Sequence, residues 1–179
     1  MKGIVFSEFL EMVEDRFGYE LVDTLLVESE LPSKGVYTAV GTYDFAEMVT
    51  LIKGLSKHTG LEISFLLKEY GFHFFDVLQK SYPQFLDRTK TAFQFLASIE
   101  NHIHVEVQKL YPEAELPTFD TNLFSPGHLE MTYRSERSMA DFAEGLIEKS
   151  LEYFGEEAEI IRHNIEADGS VVKFILKQK

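Results

Sequence analysis

The sequence predicts an α+β fold in which a helical N-terminal lobe packs on a C-terminal lobe made of a small antiparallel sheet and further helices. Three observations carry that expectation. Apolar residues recur at helical spacing from the N-terminus to about Leu110, in runs that stop at Gly or Pro. Beyond Pro117 the pattern switches to strict alternation at Leu129, Met131 and Tyr133. That alternating region is interrupted once by a capped helical run. There is no internal repeat, low-complexity stretch or linker, so the 179 residues are expected to form a single domain.

Phe9, Leu10, Val13 and Phe17 share one helical face, and Gly18 stands where a C-terminal cap is expected. A second helix is expected over Tyr19–Glu28, with Leu21, Leu25 and Leu26 inward, before a loop marked by Pro32, Ser33 and Gly35. Asp44 followed by Glu47 reads as a capping box opening a helix through Phe45, Met48, Val49 and Ile52 to about Gly60. The next helix is expected from about Glu62 to Gly71, and a further one opens at Phe72–Leu78, with Pro83 interrupting it. From Asp87 to Leu110 neither Gly nor Pro occurs, which predicts the longest helix of the chain; Pro112 and Pro117 bracket the loop after it. A strand follows at Leu129–Tyr133. Ser138 with Asp141 then caps a helix running to about Phe154, before Gly155. Two last strands, about Glu159–Ile165 and Val171–Leu176, flank a hairpin turn at Ala167-Asp168-Gly169.

Composition excludes several functions. Thirty Asp and Glu against 17 Lys and Arg give a net charge of −13, which repels nucleic-acid phosphate and anionic membrane surfaces. No apolar run reaches the roughly 20 residues of a bilayer span, and the N-terminus lacks a signal peptide's apolar segment, so a cytoplasmic location is expected. Cysteine is absent, which removes disulfides, Cys-based zinc or iron–sulfur sites, Cys nucleophiles and thiolate-ligated haem. Sixteen Phe and no Trp suit either a core built around something flat or merely a Phe-rich core.

Of the six histidines, His58 lies beside a helix-ending Gly, and His128 and His163 lie in or beside strands. His73 sits among Phe72, Phe74 and Phe75 and reads as a polar-face residue. On the long helix, a step of about 100° per residue groups His104 with Phe93, Leu96, Ala97, Ile103 and Val107. His102 then points to solvent with Ser98, Glu106 and Lys109. A lone inward histidine is either a hydrogen-bonded core residue or the axial ligand that a haem iron needs. Tyr133, Ser135 and, if the extended geometry persists, Arg137 share one side of a strand end. Together they offer phenol, hydroxyl and guanidinium donors suited to carboxylates, or are an ordinary strand end with a surface Arg.

Met1-Lys2-Gly3, Ile103-His104-Val105-Glu106-Val107 with Lys109-Leu110, Leu116-Pro117 and Tyr133-x-Ser135-x-Arg137 occur in this order. In that combination the sequence resembles the H-NOX (haem nitric oxide/oxygen binding) family, related to the haem domain of soluble guanylate cyclase, and is most similar to its stand-alone bacterial members. The resemblance implies haem b buried between an N-terminal helical lobe (about 1–60) and a haem-ligating lobe (about 61–179). It implies His104 as the proximal iron ligand, Tyr133, Ser135 and Arg137 on the haem propionates, and Pro117 pressing on the porphyrin. Val5, Phe9, Phe74, Leu78, Phe142 and Leu146 would line the distal pocket.

Oxygen-binding members carry a distal Tyr where this chain has Phe142, which implies selectivity for NO, with CO also able to bind. The Cys-rich zinc site of some relatives is absent. The implied function is nitric oxide sensing without catalysis. NO binding would release His104, and the signal would pass to a separate histidine kinase or a cyclic-di-GMP synthase or phosphodiesterase. Readings from other classes are a binding module for a non-haem apolar ligand, a haem peroxidase, and a haem carrier or NO buffer without a partner.

Overall fold

A computed structural model of the chain describes residues 1–179. Helices α1 (Gly3–Phe17), α2 (Tyr19–Glu28) and α3 (Phe45–Thr59) build the front of the molecule. α1 and α2 abut with only Gly18 between them, and its φ of 89° turns the chain where a side chain would be strained. In α2, Val22 and Leu25 take the deepest places, while Leu21 and Leu26 are half-buried against the same core. Asp44 caps α3 by accepting the Ala46 N–H. The expected reciprocal Glu47 contact is absent, because that carboxylate is buried and accepts hydrogen bonds from Ser33 and Tyr37.

Gly71 does not end a helix. α4 runs unbroken over Ile63–Ser81, and a turn of 3-10 helix at Pro83–Phe85 follows it. The absence of a Cβ serves packing, since one on Gly71 would lie 2.4 Å from the Phe142 carbonyl oxygen and 2.9 Å from Gly145 Cα. Gly145 mirrors it on α7 (Ala140–Phe154), where a Cβ would meet the Lys68 carbonyl oxygen at 2.2 Å. Two backbones therefore touch, and neither glycine ends its helix.

The expected long helix from Asp87 is three pieces. These are α5 (Ala92–Ala97), a single π turn at Ile99–Ile103, and α6 (His104–Leu110). The π turn adds a residue to the helical repeat, so a uniform 100° wheel does not apply across it. That is why His102, expected in solvent, is half-buried with its Nε2 shut away from water.

The sheet has the order β1-β2-β4-β3, every neighbour antiparallel. Its strands are β1 (Thr118–Ser125), β2 (His128–Arg134), β3 (Ala158–Asn164) and β4 (Val171–Gln178). On its buried face Leu129, Met131 and Tyr133 oppose Leu176, Phe174 and Val172. β1 was not foreseen. It is an edge strand that buries only Phe119, so it carries almost no alternating signal, although Pro126-Gly127 marks its turn. Ser138 does not cap α7 either; its φ is 50°, and the Met139 N–H donates to the Tyr133 hydroxyl instead. Asp141 pairs with Arg162 of β3, which also reaches Glu144, while Lys68 of α4 meets Glu144 and Glu148.

Buried side chains form two cores. One gathers α1–α3, the first half of α4 and Met139; the other gathers Phe75, α5, the sheet and the inner face of α7. α4 belongs to both. No helix is long and apolar enough to cross a membrane. Gly145→Ala is expected to lower stability by about 1–3 kcal/mol through overpacking. The reading is a lower urea midpoint at unchanged slope; an unchanged midpoint would mean that α4 and α7 separate freely.

Candidate functional site

Between the cores lies a cavity of about 260 Å³, and 24 of its 31 lining residues are hydrophobic. The chain reaches it from Val5 on α1, Phe74 and Leu78 on α4, and Phe142 and Leu146 on α7. His104, at the first position of α6, lines it too, as do Pro117, Tyr133, Ser135 and Arg137. Ten of the eleven residues singled out from the sequence thus border one space. Phe9 does not: it is fully buried in the N-terminal core, edge-on to Tyr70, one layer behind the cavity wall.

The π turn presents His104, and Glu100 fixes its ring. His104 Nδ1 is 3.0 Å from Glu100 Oε2, and the same oxygen accepts the Phe119 N–H at 3.0 Å. A neutral imidazole bonded to a carboxylate through Nδ1 keeps its proton there and leaves the Nε2 lone pair free. Burial holds His104 below the ordinary histidine value, against the opposing pull of Glu100, so the ring is neutral at pH 7. Neutral imidazole is the form that ligates a metal.

Tyr133 brings its phenol from the buried face of β2, and burial pushes that phenol upward, so it stays protonated. Its oxygen accepts the Met139 N–H at 3.0 Å, leaving its own hydrogen to give. Arg137 does not continue the strand. The chain turns after Arg134, and the Arg137 N–H donates to Ser135 Oγ at 3.2 Å, a turn that carries the guanidinium round to the cavity. There Arg137 donates to the Glu115 carbonyl at 2.6 Å and pairs with the Glu115 carboxylate. The donor set suits a flat, apolar metal complex with anionic edge groups. One neutral imidazole, a cation, a phenol and a hydroxyl meet walls that are mostly apolar, with Lys2, Glu115 and Ser150 the other polar residues beside Tyr82 and Tyr111.

Tyr82 and Tyr111 border the cavity with their hydroxyls bonded to each other at 3.0 Å; two further tyrosines stand outside it. Tyr70 is fully buried, packs on Phe74 and Phe142, and donates its hydroxyl hydrogen to the Val5 carbonyl. Tyr153 packs on Phe75 and Phe154 at the surface. Neither borders the cavity. Ser150 does, with its hydroxyl spent on the Leu146 carbonyl at 2.7 Å. The other histidines lie elsewhere. His58 pairs with Glu28, His73 faces Glu8 on α1 at 3.6 Å with its Nε2 buried, and His128 and His163 stand on β2 and β3. Glu100 and Glu115 escaped the sequence reading. Glu100 had a usable signal, its place four residues before a helical histidine, while Glu115 had none.

A family model described as Haem-NO-binding matches residues 2–162. No curated protein matches the sequence. Among solved structures, the Fe(II) unliganded H-NOX protein from K. algicida is similar over 100% of this chain and 97% of its own, with 51% identity and a TM-score of 0.96. The IWP-051-bound H-NOX from Shewanella woodyi in the Fe(II)CO ligation state shares 38% identity over 100% of this chain and 95% of its own, with a TM-score of 0.85. An H-NOX protein from S. oneidensis in the Fe(II)NO ligation state has the same fold, with a TM-score of 0.92 at 24% identity over 100% of this chain and 99% of its own.

Tyr70→Phe removes one of two hydrogen bonds to the Val5 carbonyl, which keeps its helical partner in α1, at an expected cost of about 0.5–1.5 kcal/mol. A lower denaturation midpoint is the expected reading. An unchanged midpoint would mean that this hydrogen bond adds nothing net to the fold.

Proposed function

The chain belongs to the Haem-NO-binding (H-NOX) family, and we propose that it is a haem-based nitric oxide sensor that holds haem b in the cavity between its two cores. The observation that carries this is His104, a neutral imidazole on a mostly apolar cavity, its Nδ1 engaged by Glu100 and its Nε2 free. When bound, the haem supplies an iron coordination site at which a diatomic gas is detected.

The chain's own residues do the rest. His104 holds the iron, and Tyr133, Ser135 and Arg137 hold the propionate carboxylates by hydrogen bonds and charge. Pro117 packs beside them, and Val5, Phe74, Leu78, Phe142 and Leu146 enclose the gas, with Phe9 supporting them from behind. With no cysteine there is no thioether attachment, which favours haem b over a covalently bound haem. On the wall formed by Val5, α4 and α7, the hydroxyls of Tyr70 and Ser150 are committed to backbone carbonyls. That wall gives no hydrogen bond to bound oxygen, so the reading selects NO, with CO also accepted. His104 would be the ligand given up when NO is sensed, and the short π turn that carries it would be the segment to shift. A cytoplasmic histidine kinase or cyclic-di-GMP synthase or phosphodiesterase receives the signal, as the family resemblance suggests, and the chain itself performs no catalysis.

The test is the absorption spectrum of the reduced, haem-supplemented protein. NO is expected to change it, and air to give no reversible change. A protein that takes up no haem would sink the proposal. His104→Ala is expected to lose haem unless imidazole is supplied. Phe142→Tyr places a phenol beside the gas pocket and is expected to create a reversible response to air; without one, the apolar wall is not what excludes oxygen.

A further inference from the structure

Glu100 makes two contacts with one oxygen atom. Its Oε2 lies 3.0 Å from His104 Nδ1 and accepts the Phe119 N–H at 3.0 Å. His104 is the first residue of α6, Glu100 lies in the π turn before it, and Phe119 is the second residue of β1. The carboxylate therefore joins the helical segment to the sheet edge through the imidazole. Its charge has no cationic side chain against it; its partners are one ring N–H and one backbone N–H. An anionic acceptor on the far nitrogen of a ligating imidazole fixes the ring tautomer and orientation and raises the basicity of the near nitrogen.

Resting on His104 being the iron ligand, we propose that Glu100 is a positioning residue that sets the strength of the iron–histidine bond and holds its angle to β1. The bond that the sensor must break is thus tuned by a residue that never touches the metal complex. Glu100→Gln keeps an acceptor for both N–H groups and removes the charge. Glu100→Ala removes acceptor and charge together.

The experiment compares the wild type with both variants as reduced, haem-loaded proteins. The iron–histidine stretching band, read by resonance Raman, is expected to fall in the order wild type, Glu100→Gln, Glu100→Ala. Haem loss to an acceptor protein is expected to quicken about 10–100-fold in Glu100→Ala, with Glu100→Gln between. An unchanged melting temperature in Glu100→Gln separates tuning from loss of fold. Variants that hold haem with a wild-type band and a wild-type loss rate overturn the proposal. A second readout needs no haem: in ¹⁵N-histidine spectra of the haem-free protein, His104 is expected to carry its proton on Nδ1, and to lose that preference in Glu100→Ala. A wild type without the Nδ1 tautomer overturns the proposal whether or not haem binds, whereas failure of every protein to take up haem with the tautomer intact defeats the sensor reading alone.

Discussion

The contact between α4 and α7 at Gly71 and Gly145 is the constraint on which the rest of the molecule hangs. Where two helices meet backbone to backbone, the side chains flanking the contact diverge from it together. On α4 these are Phe74 and Leu78, and on α7 they are Phe142 and Leu146. They border the same cavity because their helices are pinned at one point. Arg162 and Lys68 reinforce the pin from outside by holding α7 carboxylates from β3 and α4. Isolated surface pairs contribute little, but these share Glu144 and form a network.

The second constraint is the π turn. A continuous α-helix from Ala92 to Leu110 would place all its side chains on one regular wheel. Inserting one residue at Ile99–Ile103 rotates everything after it, and His104 is the first residue to feel that rotation. Ile103 stays buried, His104 reaches the cavity, and His102 is left half-buried with an unpaired Nε2. An unsatisfied buried nitrogen is a cost, and it accompanies the placement of its neighbour two positions on.

Much of this was legible in the residues. The helices of the front half, the alternating strand with Tyr133, and the final hairpin follow from periodicity and turn chemistry. Which residues would border one cavity came from the motif spacing of a family, not from periodicity, because helical wheels say which side is buried and not what lies there. What stayed hidden has physical reasons. Gly71 carries the signature of a helix stop, and only the partner helix explains why it is not one. β1 lies at the sheet edge with one buried side chain, so the signal that betrays a strand was missing. A π turn leaves no compositional mark. Ser138 and Glu47 have the chemistry of caps, but Ser138 sits at a positive φ rather than in the extended conformation a cap needs, and Ser33 and Tyr37 occupy the Glu47 carboxylate.

The division of the interior into two cores has a consequence for the order of folding. The N-terminal core draws almost all its side chains from the first 70 residues, in sequential helices whose contacts are short in sequence. The sheet must bring β2 beside β4 across the whole of α7 before its buried face closes. Loop closure makes the first assembly fast and the second slow. Met139 is the one buried residue from the later half of the chain in the N-terminal core, with half-buried Phe142 packed against it. It follows directly on the turn that carries Arg137 and starts α7. Its insertion is then the late event that joins two separately nucleated units, and the cavity is the seam that this docking leaves.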